Sequence, residues 1–497
     1  MGIIGKQTIR STVYSYLGIA VGFVTIGLLM PNIFTTAQNG LIGLLISYAV
    51  LAANIGQLGF NSATVKYFPI FRNEAKNHHG YLVLSILIAL IGSVLAVVTI
   101  WLLQPYILQQ NGGQSAQLAT YFWSLPPLIF FHILFSAFDT YARMRYDAVS
   151  GTFYKEFIMR LLVLLAVGVY GAKWITFSSF ISFWVILQAV PTLLMMFEIH
   201  TDGHFSWRID WGIWNLPLVK EVATYSLFAM ISGMSGVILV YLEPILVNHY
   251  LGLSDTGIFR ICAVFGMVIV APARMLYRIS ATVIAEAWQK QNLKTIQIIY
   301  QKSSLMQLLI GCLVYVGIVA NLHNVFECLP NAYRAGYWVI VIYGLGSLVE
   351  MAFGANGVIV GTSKYYRFDT LFLILLLISS LLLNAWLIPV FGIVGCSMAS
   401  FLCVLMFNMW RSGLLYFKFG LQPFVSQHFK VILVSLFVFG VMYLLPALPY
   451  MLLDVLVRSL LITLLFGGII YFLKLSGEFN QQIEGIWRLI VQVITWK

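Results

Sequence analysis

Lysine and arginine are concentrated in every second connector between the hydrophobic stretches of this chain. Apolar runs of about 20 residues predict membrane-spanning helices, and they occur here at 11–33, 40–60, 80–103, 118–141, 157–171, 177–198, 222–243, 257–275, 303–321, 336–360, 367–386, 391–411, 427–447 and 450–473. The odd-numbered connectors between these fourteen spans carry only Lys173 and Arg334. Membrane insertion retains Lys and Arg on the cytoplasmic side of short loops. The pattern therefore predicts an all-α polytopic membrane protein with 14 transmembrane helices and both termini in the cytoplasm.

The overall composition excludes several other classes of protein. With 61% hydrophobic and only 9% charged residues, the chain does not resemble a soluble protein. The net charge of +11 follows from the retained cytoplasmic cations and their contact with anionic phospholipid headgroups, so we expect no nucleic-acid partner. The five cysteines include no C-x-x-C spacing, and their odd number argues against a disulfide framework. We therefore expect no metal site and no cofactor.

Two segments suggest an internal repeat. Residues 34–40 and 251–257 both place a polar turn and a glycine, Gly40 or Gly257, before a predicted helix. Parallel repeats place a substrate path at the interface between two lobes, which rock around it during alternating access. The predicted organisation is an N-terminal six-helix lobe (1–200), a cytoplasmic interfacial linker (201–221), a pseudo-symmetric C-terminal six-helix lobe (222–415), two extra transmembrane helices (416–474) and an amphipathic cytoplasmic tail (475–497).

One motif resembles a known family. The residues from Asn384 to Gly395 read NAWLIPVFGIVG, which looks like the N-x-x-L-I-P-x-[YF]-G-I-x-G signature of polysaccharide exporters in the multidrug/oligosaccharidyl-lipid/polysaccharide superfamily. Pro389 is expected to end a helix there, and Gly392 and Gly395 to allow a tight turn and close packing. GQLGF at 56–60 and FDTY at 138–141 resemble other segments of these exporters. The hydropathy layout is similar across essentially the whole chain.

The resemblance implies an O-antigen or polysaccharide flippase (Wzx-type) in the bacterial cell inner membrane. Such a protein moves an undecaprenyl-pyrophosphate-linked glycan from the inner to the outer leaflet of the phospholipid bilayer, with polysaccharide polymerases as possible partners. Glu243 stands where many members carry Asp, which leaves the coupling chemistry open. A drug/cation antiporter and a lipid II flippase of the same fold stay open as alternatives. A membrane-bound polymerase or acyltransferase is disfavoured, because the outward connectors are short and carry no catalytic cluster, so we do not expect an enzyme.

Ionisable side chains at bilayer depth are costly, so each is a candidate functional group. Glu350 lies about midway along the tenth predicted span, and His132 lies at similar depth in the fourth. The repeat makes these spans counterparts, so the two groups are expected to face one another between the lobes. Each could exchange a proton near physiological pH, or form only a helix–helix hydrogen bond. Together with Asp139 and Glu243, they are the candidates for coupling to a proton or sodium ion.

A second set of charges suits an anionic substrate. Guanidinium groups bind phosphate oxygens in bidentate geometry, so cations near the inner ends of the spans could hold a pyrophosphate, although the topology rule alone also places them there. Asp139 and Arg143 are four residues apart and able to pair. Arg260 lies near the outer side, where it could pair with Glu243 or attract the substrate. The predicted substrate-binding residues are Lys66, Arg143, Arg145, Arg160, Arg260, Arg274 and Arg278.

Overall fold

A computed structural model of the chain describes residues 3–110, 116–202, 208–481 and 484–485. Within these ranges, it does not describe the side chains of 3–6, 8–9, 110, 211, 231–236, 274–279 and 282. All regular secondary structure in the described part is helical, which confirms the predicted all-α class. The α-helices up to residue 251 are α1 (Ile3–Gly22), α2 (Met30–Ile33), α3 (Thr36–Gly56), α4 (Phe60–Phe71), α5 (Tyr81–Gln110), α6 (Ala116–Tyr121), α7 (Leu125–Met144), α8 (Ser150–Thr152), α9 (Met159–Gly171), α10 (Phe177–Thr201) and α11 (Leu216–Leu251).

The remaining helices continue the same pattern to the end of the described chain. They are α12 (Leu253–Val270), α13 (Ala273–Gln289), α14 (Leu293–Ala320), α15 (Leu322–Cys328), α16 (Tyr337–Ala352), α17 (Asn356–Thr362), α18 (Tyr366–Phe391), α19 (Ile393–Phe419), α20 (Ser426–Leu444) and α21 (Met451–Phe472). Two π-helical segments join α1 to α2 and α8 to α9, at Phe23–Leu29 and Phe153–Ile158. Short 3₁₀ turns lie at Glu74–Gly80, Phe122–Ser124, Trp211–Ile213 and Asn331–Gly336.

Twelve helical segments in the described part are long and apolar enough to cross a membrane, so the chain is a multi-pass membrane protein. A helical segment lies at each of the fourteen predicted spans. Two of the predicted spans, 157–171 and 222–243, are not among these twelve segments. The first falls on the helical stretch that ends with α9, and the second falls on α11. The count of fourteen crossings and the cytoplasmic position of the termini stay predictions.

The chain forms two compact units, Met1–Ile261 and Cys262–Lys497. In the first unit, α3 packs against α5, α7 and α11, and α7 packs against α10. In the second unit, α19 packs against α16 and α18, and α14 packs against α16 and α20. The boundaries of the predicted lobes, linker and tail stay predictions, and much of the tail lies outside the described residues.

The two glycines of the predicted repeat meet inside the first unit. A Cβ atom added to Gly40 would lie 1.9 Å from the carbonyl oxygen of Leu253, and one added to Gly257 would lie 1.9 Å from that of Thr36. The hydroxyls of Thr36 and Ser254 are 2.8 Å apart. These contacts are reciprocal, because each glycine faces the backbone of the segment that carries the other. The repeat itself stays a prediction. Only glycine allows the α3 and α12 backbones to approach so closely.

The signature segment forms the turn between α18 and α19. Gly392 adopts φ +60° and ψ −140°, a conformation that only glycine enters readily. A Cβ atom on Gly395 would lie 2.0 Å from the carbonyl oxygen of Leu387, so the two helices pack closely. The predicted tight turn is confirmed, but the prediction that Pro389 ends the helix is wrong. A proline inside a helix removes one backbone hydrogen bond and its ring crowds the preceding turn, yet α18 continues through Pro389 to Phe391 before Gly392 breaks it.

A buried ion pair joins the last two helices. The Arg458 guanidinium donates from Nε to Asp454 Oδ2 at 2.8 Å and from its remaining nitrogens to backbone carbonyls at the end of α20. Asn324, just inside α15, donates to the same Asp454 oxygen at 2.6 Å. The side chains of Arg458 and Asp454 are only 6% and 2% exposed. We call these groups the C-terminal clasp, because they tie α20, α21 and α15 together.

Candidate functional site: a polar cavity in the first unit

A cavity of about 170 Å³ lies inside the first unit, between α3, α7, the π-helical segment, α9 and α10. Its wall is largely apolar and includes the aromatic rings of Phe131, Phe135 and Trp184. Four polar side chains also line it, and they are His132, Lys155, Gln188 and Thr192. An apolar cavity with a few convergent polar groups is the usual form of a ligand site.

Lys155 owes its position to the π-helical segment Phe153–Ile158. A π turn adds one residue to the local helix and often marks a functional position. The Lys155 ammonium lies 5.3 Å from the centroid of the Phe135 ring and is accessible to solvent at the cavity. Among the described residues, no carboxylate lies within ion-pair distance of it. The cavity wall therefore carries a cationic group that is open to an anion.

The other polar groups add hydrogen-bonding capacity beside Lys155. Within the described part of the chain, the structure shows no hydrogen bond to the imidazole of His132 or to the amide of Gln188. The Thr192 hydroxyl is already engaged, because it donates to the Phe131 carbonyl at 3.2 Å. An imidazole and a primary amide both donate and accept hydrogen bonds. The arrangement therefore suits a ligand that combines negative charge with hydroxyl groups.

The predicted pair near the C-terminal end of α7 is confirmed. Arg143 lies 3.2 Å from the Asp139 carboxylate and also donates to the Thr140 hydroxyl at 3.0 Å. Gly151 sits against this carboxylate, because an added Cβ atom would lie 1.7 Å from Asp139 Oδ1. Any side chain at residue 151 would displace the Asp139 carboxylate. The pair is thereby held in one place beside the start of α8.

Three other predicted cations of the first unit have protein partners rather than a place in the cavity wall. Arg145 pairs with Asp202 at 3.4 Å. Arg160 pairs with Glu156 at 2.7 Å and donates to the Gly18 carbonyl at 2.8 Å. Lys66 lies 3.8 Å from Glu221. Such partly exposed pairs are weak, so their exchange for a substrate phosphate stays a prediction, as does substrate contact by Arg143.

The remaining predicted substrate cations divide into two cases. Arg260 on α12 donates to the Asn39 carbonyl at 3.3 Å, and Gly43 leaves room for it, because a Cβ atom there would lie 2.4 Å from Arg260 Cδ. Glu243 on α11 is buried, and its pairing with Arg260 stays a prediction. Arg274 and Arg278 belong to α13, but their side chains lie outside the described residues.

Glu350 in the second unit belongs to a network of side-chain amides. Asn408 on α19 donates to Glu350 Oε2 at 2.6 Å, and Asn356 on α17 donates to Asn408 Oδ1 at 2.7 Å. Both asparagines are buried. This network fixes the orientation of the Glu350 carboxylate on α16. His132 belongs to the first unit and Glu350 to the second, so their predicted approach stays a prediction.

Sequence reasoning missed Lys155 and Gln188, as well as the two asparagines beside Glu350. Lys155 lies in the connector between the predicted spans 118–141 and 157–171, which the charge pattern predicts to be cytoplasmic, so topology alone explains a lysine there. The available signal was its position only two residues before a predicted span, where a lysine can reach into the helix bundle. Gln188 had a clearer signal, because it is an amide in the middle of the span 177–198.

No protein-family model and no curated protein sequence matches this chain. Solved structures do match it. A structure of the lipid II flippase MurJ in an inward closed conformation aligns with a TM-score of 0.73 at 13% identity, covering 94% of this chain and 100% of that one.

Transporters of the MATE family give further matches. An inward-facing multidrug resistance MATE transporter of the MOP superfamily aligns with a TM-score of 0.58 at 14% identity, covering 81% of this chain and 97% of that one. A MATE protein in complex with MaL6 aligns with a TM-score of 0.54 at 14% identity, over 82% and 95%. The likeness confirms the exporter fold implied by the signature segment, whereas the Wzx-type branch stays a prediction. The chain has the fold shared by MurJ and the MATE transporters.

Proposed function

We propose that the chain is a flippase for an undecaprenyl-pyrophosphate-linked oligosaccharide, the repeat unit of an O-antigen, capsule or exopolysaccharide. The observation that carries this proposal is the open cationic group of Lys155 in a cavity of an exporter fold. A saccharide linked through a diphosphate combines negative charge with hydroxyl groups. Lys155 complements the charge, and His132 and Gln188 complement the hydroxyls. Alternating access in the bacterial inner membrane would carry the headgroup to the outer leaflet.

A lipid II flippase is the second candidate. The MurJ structure that aligns over nearly the whole chain carries that description, and lipid II is also a saccharide linked to a polyprenyl diphosphate. The cavity chemistry suits both substrates. A drug/cation antiporter ranks third, because the Lys155 ammonium repels a cationic compound at close range.

Depletion of the protein in its bacterium tests the proposal. We expect the lipid-linked oligosaccharide to accumulate on the cytoplasmic leaflet and the surface polymer to decline, because the headgroup cannot cross unaided. Extracted lipid-linked saccharides and surface polysaccharide are measured together. Accumulation of lipid II with cell lysis would instead support the second candidate, and increased drug sensitivity alone would support the antiporter. Normal levels of both lipids and of the polymer would contradict both flippase proposals.

We further propose that Glu350 couples transport to a proton or sodium ion, with His132, Asp139 and Glu243 as the other candidates. Glu350→Gln preserves side-chain volume and can still accept the hydrogen bond from Asn408, but it removes the ionisable group. We expect turnover to fall about tenfold, within the usual range of coupling between sites, while the thermal unfolding midpoint is unchanged. Turnover is measured as flipping by purified protein in liposomes. The unfolding midpoint is measured in detergent.

The control for this experiment is Glu327→Gln. Glu327 is an exposed carboxylate of the same unit, so its loss should leave turnover at the wild-type level. Wild-type turnover in Glu350→Gln would remove Glu350 from the coupling mechanism.

A further inference from the structure

A second polar pocket, with a volume of about 530 Å³, lies on the surface of the first unit between α4 and α11. Lys66 and Tyr67 line it from α4, and Lys220, Glu221 and Tyr225 line it from α11. Two cations and one carboxylate therefore share a space separate from the cavity that contains Lys155.

The charges in this pocket are held in a defined arrangement. The Lys66 ammonium donates to the Tyr67 hydroxyl at 2.9 Å, and that hydroxyl donates to Glu221 Oε1 at 2.8 Å. The same ammonium lies 4.4 Å from the centroid of the Tyr225 ring. The hydrogen bond to Tyr67 raises the pKa of Lys66, so the group is charged at neutral pH. The side chain of Glu221 stays 62% exposed and available to a ligand.

The pocket also has an apolar end. Phe228 lines it about one turn beyond Tyr225 on α11 and is 70% exposed, and its neighbour Leu227 is 61% exposed. Large apolar side chains exposed on a membrane protein face lipid chains, whereas lysine and tyrosine are favoured at headgroup depth. The pocket therefore runs from a charged end to an apolar end, as a bound phospholipid requires.

We propose that this pocket binds a phospholipid of the surrounding bilayer with a phosphoethanolamine headgroup. Its phosphate accepts hydrogen bonds from Lys66 and Lys220, and its primary ammonium donates to Glu221. Phosphatidylglycerol has no ammonium, so its neutral glycerol hydroxyls can give Glu221 only hydrogen bonds from an uncharged donor. Phosphatidylcholine has a cation without N–H donors, so it cannot donate to the carboxylate. Of these three lipids, only phosphatidylethanolamine carries a primary ammonium as well as the phosphate, so it alone among them complements Lys66, Lys220 and Glu221.

The test measures which phospholipid the purified full-length protein retains in detergent. The protein is titrated with phosphatidylethanolamine, phosphatidylcholine and phosphatidylglycerol of the same acyl chains, and bound lipid is counted by mass spectrometry of the intact complex. We expect phosphatidylethanolamine to bind about tenfold more tightly than phosphatidylcholine, the effect of one charge-assisted hydrogen bond. Glu221→Gln should remove this preference while leaving the unfolding midpoint unchanged.

Glu286→Gln is the matched control, because Glu286 is also 62% exposed and paired with a lysine, Lys290, at 2.6 Å. This variant should keep the wild-type lipid preference. Equal retention of the three lipids, stronger retention of phosphatidylglycerol, or the same loss in both variants would overturn the proposal. The measurement involves no transport, so its outcome is independent of the flippase function.

Discussion

Replacing Lys155 with Met should lower transport of the lipid-linked saccharide by about 10- to 100-fold. Hydrogen bonds to charged groups contribute about 1.5–3 kcal/mol, and each 1.4 kcal/mol corresponds to a factor of ten. Lys155 contacts no carboxylate in the described chain and lines an otherwise largely apolar cavity, so its loss breaks no ion pair that holds the fold. The protein should therefore unfold at the wild-type temperature. Flipping in liposomes and thermal unfolding in detergent measure the two quantities.

Two further variants sharpen this test. Lys155→Arg retains the positive charge and should keep part of the transport, because a guanidinium still binds an anion but reaches a different position. Lys290→Met is the matched control, since Lys290 is 69% exposed and paired with Glu286 on α13. It should transport at the wild-type rate. Normal transport by Lys155→Met, or equal losses in Lys155→Met and Lys290→Met, would contradict a role for the cavity cation.

Arg458→Met should destabilise the protein by about 3–5 kcal/mol, because the buried Asp454 carboxylate loses its permanently charged partner and keeps only the His323 imidazole, 2.8 Å from Oδ2. The guanidinium also satisfies carbonyl oxygens of Met442, Leu445 and Pro446 at 2.8–3.0 Å. Denaturant unfolding in detergent measures the change in the free energy of unfolding.

The double variant Arg458→Met with Asp454→Leu removes both charges of the ion pair. It therefore separates the cost of an unpaired Asp454 carboxylate from the cost of altered packing. It should lose less stability than Arg458→Met alone, since no uncompensated carboxylate remains in the clasp. Lys290→Ala, which breaks an exposed pair, should cost only about 0–1 kcal/mol. If Arg458→Met costs no more than Lys290→Ala, the clasp does not stabilise the C-terminal helices.

Contacts within one helix or one turn followed from the sequence. Asp139 and Arg143 were expected to pair because four residues make slightly more than one helical turn, and they do. Gly392 was expected at a tight turn because glycine tolerates positive φ. The same local reasoning failed at Pro389, since α18 accommodates this proline in its last turn and ends only at Phe391.

Local sequence patterns could not predict which residues distant in sequence lie close together in the fold. Asn356 and Asn408 looked like ordinary polar residues until the packing of α17 and α19 placed them in one network with Glu350. Arg458 was simply a charge inside a predicted span. Its partner four residues away was visible in the sequence, but its contact with the end of α20 and the role of Asn324 were not.

The sequence by itself determined that this protein is a helical membrane protein, because spacing and hydrophobicity alone set which segments enter a bilayer. The signature segment also indicated the exporter fold. Only the tertiary structure decided which charges are open to a ligand. All five predicted substrate cations whose side chains are described have protein partners. Lys155 instead faces a cavity, where a π-helical segment and the packing of α7 and α10 place it. Such a difference depends on contacts between distant segments, which no local pattern encodes.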